Sequence, residues 1–255
     1  MYALIDHLSQ QYNGYCTWDL SQSLPPVDRM ARMGGVDMGR GICLGLASHW
    51  IRYHAWDDSL VNHLGGIAIN NGHSFIPLNI RLLARIKQCQ QQWRGRLDDA
   101  LIWLGNPVND IIKVRTSLNT PVRLNIGRGG NAARLTNLPG SRDAVRLTNL
   151  PGSRNANTRG HVVNWAGMSD DLDKVSGAYA MIVLHGPRGG HACAAWIGGR
   201  GEDACFFDPN FGEYWFEDKR NFFRFLRLFA QNFYNARMGM DRYEIQPLAR
   251  RVRLN

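Results

Sequence analysis

The amino-acid sequence predicts an α+β protein in which a group of helices precedes an antiparallel sheet. Apolar residues recur at helical spacing in the first 104 residues, and short apolar runs separated by glycine-bearing turns follow from residue 178. One more helical pattern comes after these runs. Helices and strands that are segregated along the chain are typical of the α+β class.

A loop rich in glycine leads into the first long predicted helix, which runs from Cys43 to near Asp57. The apolar residues of this helix are spaced to form one buried face: Cys43, Leu46, Ala47, Trp50, Ile51 and His54. Two further helices are predicted over 79–93 and 96–104. The stretch 61–76, rich in glycine, asparagine and histidine, is interpreted as a loop.

Four short apolar runs predict the strands of the sheet: 178–184, 191–197, 204–208 and 214–216. Short connections that contain glycine join these runs, which favours antiparallel hairpins. A helix with an aromatic stripe is predicted over 218–234 and is expected to pack on the sheet. A last strand is predicted over 243–248.

The composition indicates a globular chain with a basic surface. Of the 255 residues, 44% are hydrophobic and 20% are charged, and the formal net charge is +9. Such a surplus suits an anionic partner, which can be a nucleic acid, an acidic membrane face or an acidic protein.

Most of the surplus charge lies in the segment 121–160, which holds seven arginines and one acid, Asp143. The sequence Arg134–Arg142 recurs unchanged as Arg146–Arg154, and we interpret the segment as a surface insertion that carries a local duplication. The alternative is a basic arm that contacts an anionic surface or an acidic partner. Nucleic acid is not expected as its partner, because the segment contains no aromatic residue for stacking on bases.

The five cysteines argue against two kinds of structural cysteine site. Their number is odd and no CxxC pair occurs, so neither a disulfide framework nor a zinc cluster is predicted. We expect no metal and no cofactor, and the cysteine usage suits a reducing compartment. The N-terminus shows no Sec-type signal peptide and no run is long enough to span a membrane, which leaves export by a specialised bacterial system open.

Cys43 is the candidate nucleophile, because the helical pattern places it in the first turn. The partial positive charge and unpaired N–H groups of a helix start favour a thiolate and lower the pKa of the thiol. The alternative interpretation of Cys43 is a small buried residue that opens a core helix.

His191 and Asp208 are the candidate base and orienting acid. His191 opens one predicted strand and Asp208 closes the next, so antiparallel pairing would bring both to the same end of the sheet. Asp208 would then accept from one ring nitrogen of His191 while the other nitrogen faces Cys43. His185, just after a strand, is a rival for the role of base.

Three stretches of the sequence resemble the YopT/AvrPphB family of bacterial cysteine proteases: Gly41–Ile51, His191–Ala195 and Phe207–Gly212. They occur in the family's order of cysteine, histidine and aspartate. The resemblance implies a papain-like fold, in which Cys43 is the nucleophile, His191 the base and Asp208 the orienting acid. The resemblance spans Cys43 to about Phe216. We expect a catalytic domain over 36–255, interrupted by the insertion at 121–160, after an N-terminal extension over 1–35.

The sequence departs from the papain-like pattern at the oxyanion site. Such sites usually carry an amide side chain a few residues before the nucleophile, whereas the residues nearby here are Asp37, Met38 and Arg40. The backbone N–H of Cys43 remains as one oxyanion donor. Asp37 is the candidate for the second, through its backbone or as a protonated carboxyl.

The leading functional hypothesis is a cysteine protease that a specialised bacterial system secretes into a host or target cell. Members of the family cleave host proteins near membranes, such as prenylated Rho GTPases or lipid-anchored kinases, so the resemblance implies a host protein substrate. A second hypothesis keeps the triad for a glutamine deamidase, a transglutaminase or an acyltransferase. A third is a non-catalytic binding module that uses the basic segment.

Overall fold

The computed structural model describes residues 2–22, 27–38, 41–65, 67–69, 74–113, 165–187 and 189–250. The arginine-rich segment 121–160, including its duplicated sequence, lies outside these residues. No helix within the described ranges is long and apolar enough to cross a membrane.

Eight α-helices and one π-helical segment are present in the described ranges. In chain order they are α1 (Tyr2–Gln11), α2 (Val27–Met33), α3 (Cys43–Ala55), α4 (Leu60–Leu64), α5 (Ile80–Trp93), α6 (Leu97–Leu104), α7 (Trp165–Asp173), α8 (Lys219–Phe229) and a π-helix (Ala230–Asn235). The helices predicted to begin at Cys43, to cover 79–93 and to cover 96–104 are therefore confirmed as α3, α5 and α6.

Nine strands are described, seven of which form one antiparallel sheet. The strands are β1 (Gly14–Trp18), β2 (Ile67–Ile69), β3 (Ser74–Ile76), β4 (Ile111–Lys113), β5 (Ala178–Gly186), β6 (Gly189–Ile197), β7 (Ala204–Asp208), β8 (Gly212–Phe216) and β9 (Arg242–Arg250). The sheet has the order β1-β8-β7-β6-β5-β9-β4, and β2 and β3 form a separate hairpin. The prediction of a loop over 61–76 is wrong for α4 and for this hairpin, whose strands are too short to show a period.

Helices cover both faces of the sheet. We call α2 to α6 the front layer, and α1, α7, α8 and the π-helix the back layer. Side chains alternate along each strand, so the neighbours Phe206 and Phe207 of β7 are both fully buried but belong to the back and front cores respectively. The predicted α+β class is confirmed. The stretch 1–35 contributes α1 and the edge strand β1, and the domain boundary at residue 36 stays a prediction.

α3 occupies the centre of the front layer and is buried on more than the one predicted face. Every residue from Leu44 to Ile51 is buried, because β6 covers one side of the helix while α5 and α6 cover the other. Gly45 allows α5 to approach closely, since an added Cβ atom would lie 2.9 Å from the carbonyl oxygen of Ile86. This packing fixes the start of α3, and therefore Cys43, against the sheet.

Candidate active site

Cys43 is the first residue of α3, as the sequence predicts. Gly41 precedes it with a φ of +99°, a conformation that strains any residue with a Cβ atom. Two side-chain amides then take up backbone donors at the helix start, since the Ile42 N–H donates to Gln22 Oε1 and the Gly45 N–H to Gln90 Oε1, both at 2.8 Å. No described residue accepts from the N–H of Cys43 itself.

His191 lies near the beginning of β6 and is buried, with 3% of its surface exposed. Its Nε2 atom lies 3.0 Å from each carboxylate oxygen of Asp208. The imidazole also shares a hydrogen bond with the Cys43 thiol, and Nδ1 is the nitrogen left for it. The structure therefore brings together the three residues that the sequence singles out, in the order thiol, imidazole and carboxylate.

Asp208 ends β7 and is fully buried. Besides His191, it accepts from the hydroxyl of Tyr234 at 2.5 Å and from the backbone N–H of Asn210 at 2.7 Å. Three donors on a buried carboxylate offset much of the cost of removing it from water. Burial and the neighbouring Asp208 raise the pKa of Tyr234 well above its ordinary value, so this hydroxyl keeps its proton and stays a donor.

Tyr234 owes its position to the π-helix that continues α8. The wider turn of a π-helix places consecutive residues differently from an α-helix, and both Phe233 and Tyr234 are buried in the back layer. His191 and Asp208 lie on the sheet face that this layer covers, by alternation with Cys193 and Phe206. Cys43 therefore belongs to the front layer, whereas His191 and Asp208 face the back layer.

The electrostatic interactions of the site favour a thiolate beside an imidazolium. Burial opposes ionisation of Cys43, but the hydrogen bond and charge of His191 and the N–H groups of Ala192 and Leu44 outweigh it and lower the pKa of the thiol. Burial also opposes protonation of His191, and the charge and hydrogen bond of Asp208 outweigh it and raise the pKa of the imidazole to about 10. Cys43 and His191 thus stabilise each other's charged forms.

The remaining thiols have the opposite tendency. Burial raises the pKa of Cys89, raises that of Cys16 to about 12, and raises those of Cys193 and Cys205 well above the ordinary value. Cys43 is the one cysteine with a lowered pKa among the five, all of which lie in the described ranges.

The other described histidines of α3 and of the sheet do not contact Asp208. His49 and His54 are packed inside the front layer, where burial lowers the pKa of each, to about 4 for His49. His185, the rival base, lines the cavity in front of Cys43, whereas the contact with Asp208 belongs to His191.

Two cavities meet at Cys43 and His191. The larger, of about 970 Å³, is bounded by the start of α3, the end of α5 with Arg94, and the β5–β6 connection. The smaller, of about 370 Å³, is lined by Gln22, Met38, Asn210 and Met238 among others. Within the described residues, no group of three or more histidine, cysteine or acidic side chains is placed to hold a metal ion.

The structure places Asp37, the predicted second oxyanion residue, on the surface. Its side chain is exposed and does not belong to the described lining of either cavity. Gln22, Asn210 and Tyr234 contact the triad or its immediate neighbours instead, and no sequence pattern predicts a role for any of them. Tyr234 is the last residue of the helix predicted over 218–234, and the helical period of that stretch predicts only packing on the sheet.

Comparison with known families and proteins gives a consistent result. The peptidase C58 family model, described as Yersinia/Haemophilus virulence surface antigen, matches residues 168–246, a range that contains His191 and Asp208. Two curated proteins of Yersinia enterocolitica named Cysteine protease yopT1 are each 28% identical to this chain, over 209 and 193 residues. These alignments cover 79% and 73% of this chain and 52% and 48% of the relatives, so the chain spans about half the length of the curated relatives it matches.

Solved structures that resemble this chain include the Pseudomonas avirulence protein AvrPphB, with a TM-score of 0.46 and 13% identity over 83% of this chain and 93% of that one. The YopT domain of the Pasteurella multocida PfhB2 toxin gives a TM-score of 0.23 and 17% identity, over 88% of this chain and 90% of that one. The chain is therefore similar to a peptidase family and to two YopT cysteine proteases, a similarity that agrees with the three sequence blocks.

Proposed function

We propose that this chain is a cysteine endopeptidase that acts through a catalytic triad of Cys43, His191 and Asp208. The observation that carries the proposal is the position of His191, which is bonded to the Cys43 thiol on one side and to the Asp208 carboxylate on the other. The match to a peptidase family and to relatives named cysteine proteases supports the same reaction.

The geometry supports a two-step acyl transfer. The Cys43 thiolate attacks the amide carbonyl carbon, and the electrons of the C=O bond move to the oxygen. When this intermediate collapses, the C–N bond breaks and the protonated His191 gives its proton to the leaving nitrogen. His191 then takes a proton from water, whose oxygen attacks the thioester and releases the acid and the Cys43 thiolate.

An extended substrate fits the shape of the site. The cavities of about 970 Å³ and 370 Å³ lie on two sides of the Cys43–His191 pair and share these two residues in their lining. A polypeptide that passes from one cavity to the other would place its scissile bond between the thiol and the imidazole. This shape is the reason why we favour a protein substrate over a small amide.

We place the substrate inside a host or target cell, reached through a specialised bacterial secretion system. The virulence description of the matching family and the bacterial source of the curated relatives support this setting. A host protein at a membrane, such as a small GTPase, is the first substrate class to examine. A reporter fused to the chain and expressed in a bacterium that carries such a secretion system would test delivery: reporter signal inside co-cultured cells supports it, and signal confined to the bacteria contradicts it.

The reaction itself is tested by incubating the protein with host-cell membrane and cytosol fractions and sequencing the new protein N-termini. We expect new N-termini with the wild-type chain and none with a Cys43→Ala variant. Glutamine converted to glutamate without new N-termini would replace the endopeptidase by a deamidase. Binding that weakens with salt, with neither product and no effect of Cys43→Ala, would favour the non-catalytic module.

A further inference from the structure

Gln22 lies in the wall of the smaller cavity, beside the nucleophile but 20 residues before Ile42 in the sequence. It is buried, with 5% of its surface exposed. A buried amide side chain that lines a reactive cleft needs partners for both its oxygen and its nitrogen. The partners of Gln22 show which of its atoms remains available to a substrate.

Hydrogen bonds fix the orientation of the Gln22 amide. The N–H of Ile42 donates to Oε1, so the oxygen and nitrogen cannot be exchanged without placing two donors against each other. Nε2 donates to Asn210 Oδ1 at 2.9 Å, and the backbone N–H of Gln22 donates to the carbonyl of Pro209 at 2.8 Å. Gln22 therefore joins the start of the nucleophile's helix to the turn that follows Asp208.

One N–H of Nε2 is left over after these bonds. An amide nitrogen carries two hydrogens, and among the described residues only Asn210 accepts from it. The N–H of Cys43 likewise has no acceptor among the described residues. The side chains of Gln22 and Gln90 accept from the N–H groups of Ile42 and Gly45 on either side of it. Gly41 has no side chain to stand between the two donors, and an added Cβ atom there would lie 3.5 Å from the Gln22 amide.

We propose that Gln22 is a catalytic residue whose Nε2 donates, together with the backbone N–H of Cys43, to the oxyanion of the tetrahedral intermediate. The inference rests on the proposed function, since it assigns a donor to the same reaction. The negative charge arises when the thiolate of Cys43 adds to the carbonyl carbon and the C=O electrons move to the oxygen. Two fixed donors lower the energy of this charged state without having to reorganise.

The decisive substrate is a synthetic peptide that spans the first bond cut in the host-cell fractions. In Gln22→Glu the carboxylate can still accept from the N–H of Ile42, but it has no N–H to donate. We expect kcat to fall about 10²- to 10³-fold, with KM little changed, which is the usual loss for one oxyanion donor. Gln92→Glu, a substitution of the same charge at an exposed position of α5 outside the described lining of both cavities, is the matched control and should keep wild-type kcat.

Two further measurements separate donation to the oxyanion from support of the fold. A peptide aldehyde of the same sequence forms a hemithioacetal whose oxygen would sit at the same donors, so Gln22→Glu and the uncharged Gln22→Ala should both weaken its binding by more than about 10-fold. Alkylation of Cys43 by iodoacetamide creates no oxyanion, and its rate in Gln22→Ala should stay near that of the wild type.

The outcomes distinguish this inference from the proposed function. A wild-type chain that cuts no bond defeats the endopeptidase proposal itself. If the wild type cleaves, and both Gln22 variants keep its kcat and its affinity for the aldehyde, only the role of Gln22 is overturned. Alkylation and turnover that fall together by the same factor in Gln22→Ala also overturn it, because Gln22 would then act by holding the thiolate pair.

Discussion

The two sides of the candidate site are held by different kinds of interaction. On the nucleophile side, backbone N–H groups at the start of α3 are bonded by the side chains of Gln22 and Gln90. On the base side, side chains bond to side chains, since His191 and Tyr234 both donate to Asp208. The nucleophile side depends on where a helix begins, and the base side depends on a chain of individual groups.

This difference predicts how the two sides respond to substitution. The backbone donors of the helix start survive any change of a neighbouring side chain that keeps the helix in place. Each member of the base side supports the next one, so the loss of a single hydroxyl or carboxylate changes the charge and position of His191. Substitutions on the base side should therefore produce a graded series of losses in kcat.

The largest effect is expected for Cys43→Ala, which removes the nucleophile and leaves the rest of the site. The fall in kcat should be on the order of 10⁶-fold, as for loss of the nucleophile of other triads. The measurement is turnover of the peptide substrate, with Cys89→Ala as the control. Cys89 lies on α5 and its pKa is raised by burial, so its removal should leave kcat near the wild-type value. Equal turnover in the two variants would remove Cys43 from the reaction.

Asp208→Asn should lower kcat by about 10³- to 10⁴-fold. The charge of Asp208 raises the pKa of His191, so its removal should also move the alkaline limit of activity to lower pH. The pH profile of kcat/KM measures this shift. Asp203→Asn is the matched control, because Asp203 directly precedes β7, at the end opposite Asp208, and accepts from Trp215 Nε1 at 2.8 Å. A folded Asp208→Asn chain with the control's turnover and pH profile would contradict the assigned triad.

The sequence predicted the two sides of the site unequally. Cys43 and the start of α3 follow from a local pattern, a glycine loop before apolar residues at helical spacing, and the pairing of His191 with Asp208 follows from the lengths of two strands and one turn. Gln22 could not be predicted, because only the tertiary fold brings it to Ile42. Tyr234 could not be predicted as a partner of Asp208, because a π-helical turn breaks the period on which the sequence argument relies.

Prediction of the fold from the sequence is limited in the same way, because it depends on local periodicity. Long helices and paired strands were predictable because each repeats its pattern over several turns or residues. The three-residue strands β2, β3 and β4 repeat their pattern too few times to be recognised. β1 joins the sheet through a distant partner, since Gly14 pairs with Phe216. The burial of α3 on all sides was missed because its extra contacts come from α5 and α6, which no periodicity within α3 can reveal.

The thiols on the two sides of the site should differ in reactivity. Cys43 has a lowered pKa, whereas burial raises the pKa of Cys193, which lies in contact with the Tyr234 hydroxyl. At pH 6, limiting iodoacetamide should label Cys43 roughly 10- to 100-fold faster than any other cysteine, because its lowered pKa gives it the largest thiolate fraction of the five. His191→Ala should abolish this preference and His185→Ala should retain it. Peptide mapping by mass spectrometry measures the label, and even labelling of all five thiols would make Cys43 a packing residue.

The same two shifts fix the pH range of activity. As pH falls through the lowered pKa of Cys43, the thiolate is protonated and both alkylation and turnover should decline. As pH rises through the pKa of His191, about 10, the proton for the leaving nitrogen is lost and turnover alone should decline. Alkylation should therefore persist above the pH at which cleavage stops, and a simultaneous alkaline loss of both would contradict the assignment of the proton donor.

The smallest and sharpest effect is expected for Tyr234→Phe. This change removes one hydroxyl, which donates to Asp208 at 2.5 Å, and keeps the ring that packs in the back layer. Loss of a bond to a charged acceptor costs about 1.5–3 kcal/mol of stability, and a less constrained carboxylate should lower kcat roughly 10-fold without changing KM. Thermal unfolding and steady-state kinetics measure the two effects separately.

Tyr214→Phe is the control that separates a purely structural role of the Tyr234 hydroxyl from a role in catalysis. Tyr214 is also fully buried on the back-layer face. Its hydroxyl donates to the carbonyl of Phe211 at 3.1 Å and to Asp6 at 3.2 Å, neither of which is a side chain of the triad. Both variants should therefore lose stability, but only Tyr234→Phe should lose kcat. If the two variants lose stability and keep kcat alike, the π-helix merely fills the core and Asp208 is oriented by His191 and Asn210 alone. If kcat falls in Tyr234→Phe alone, the graded behaviour of the base side extends to a group one bond beyond the triad.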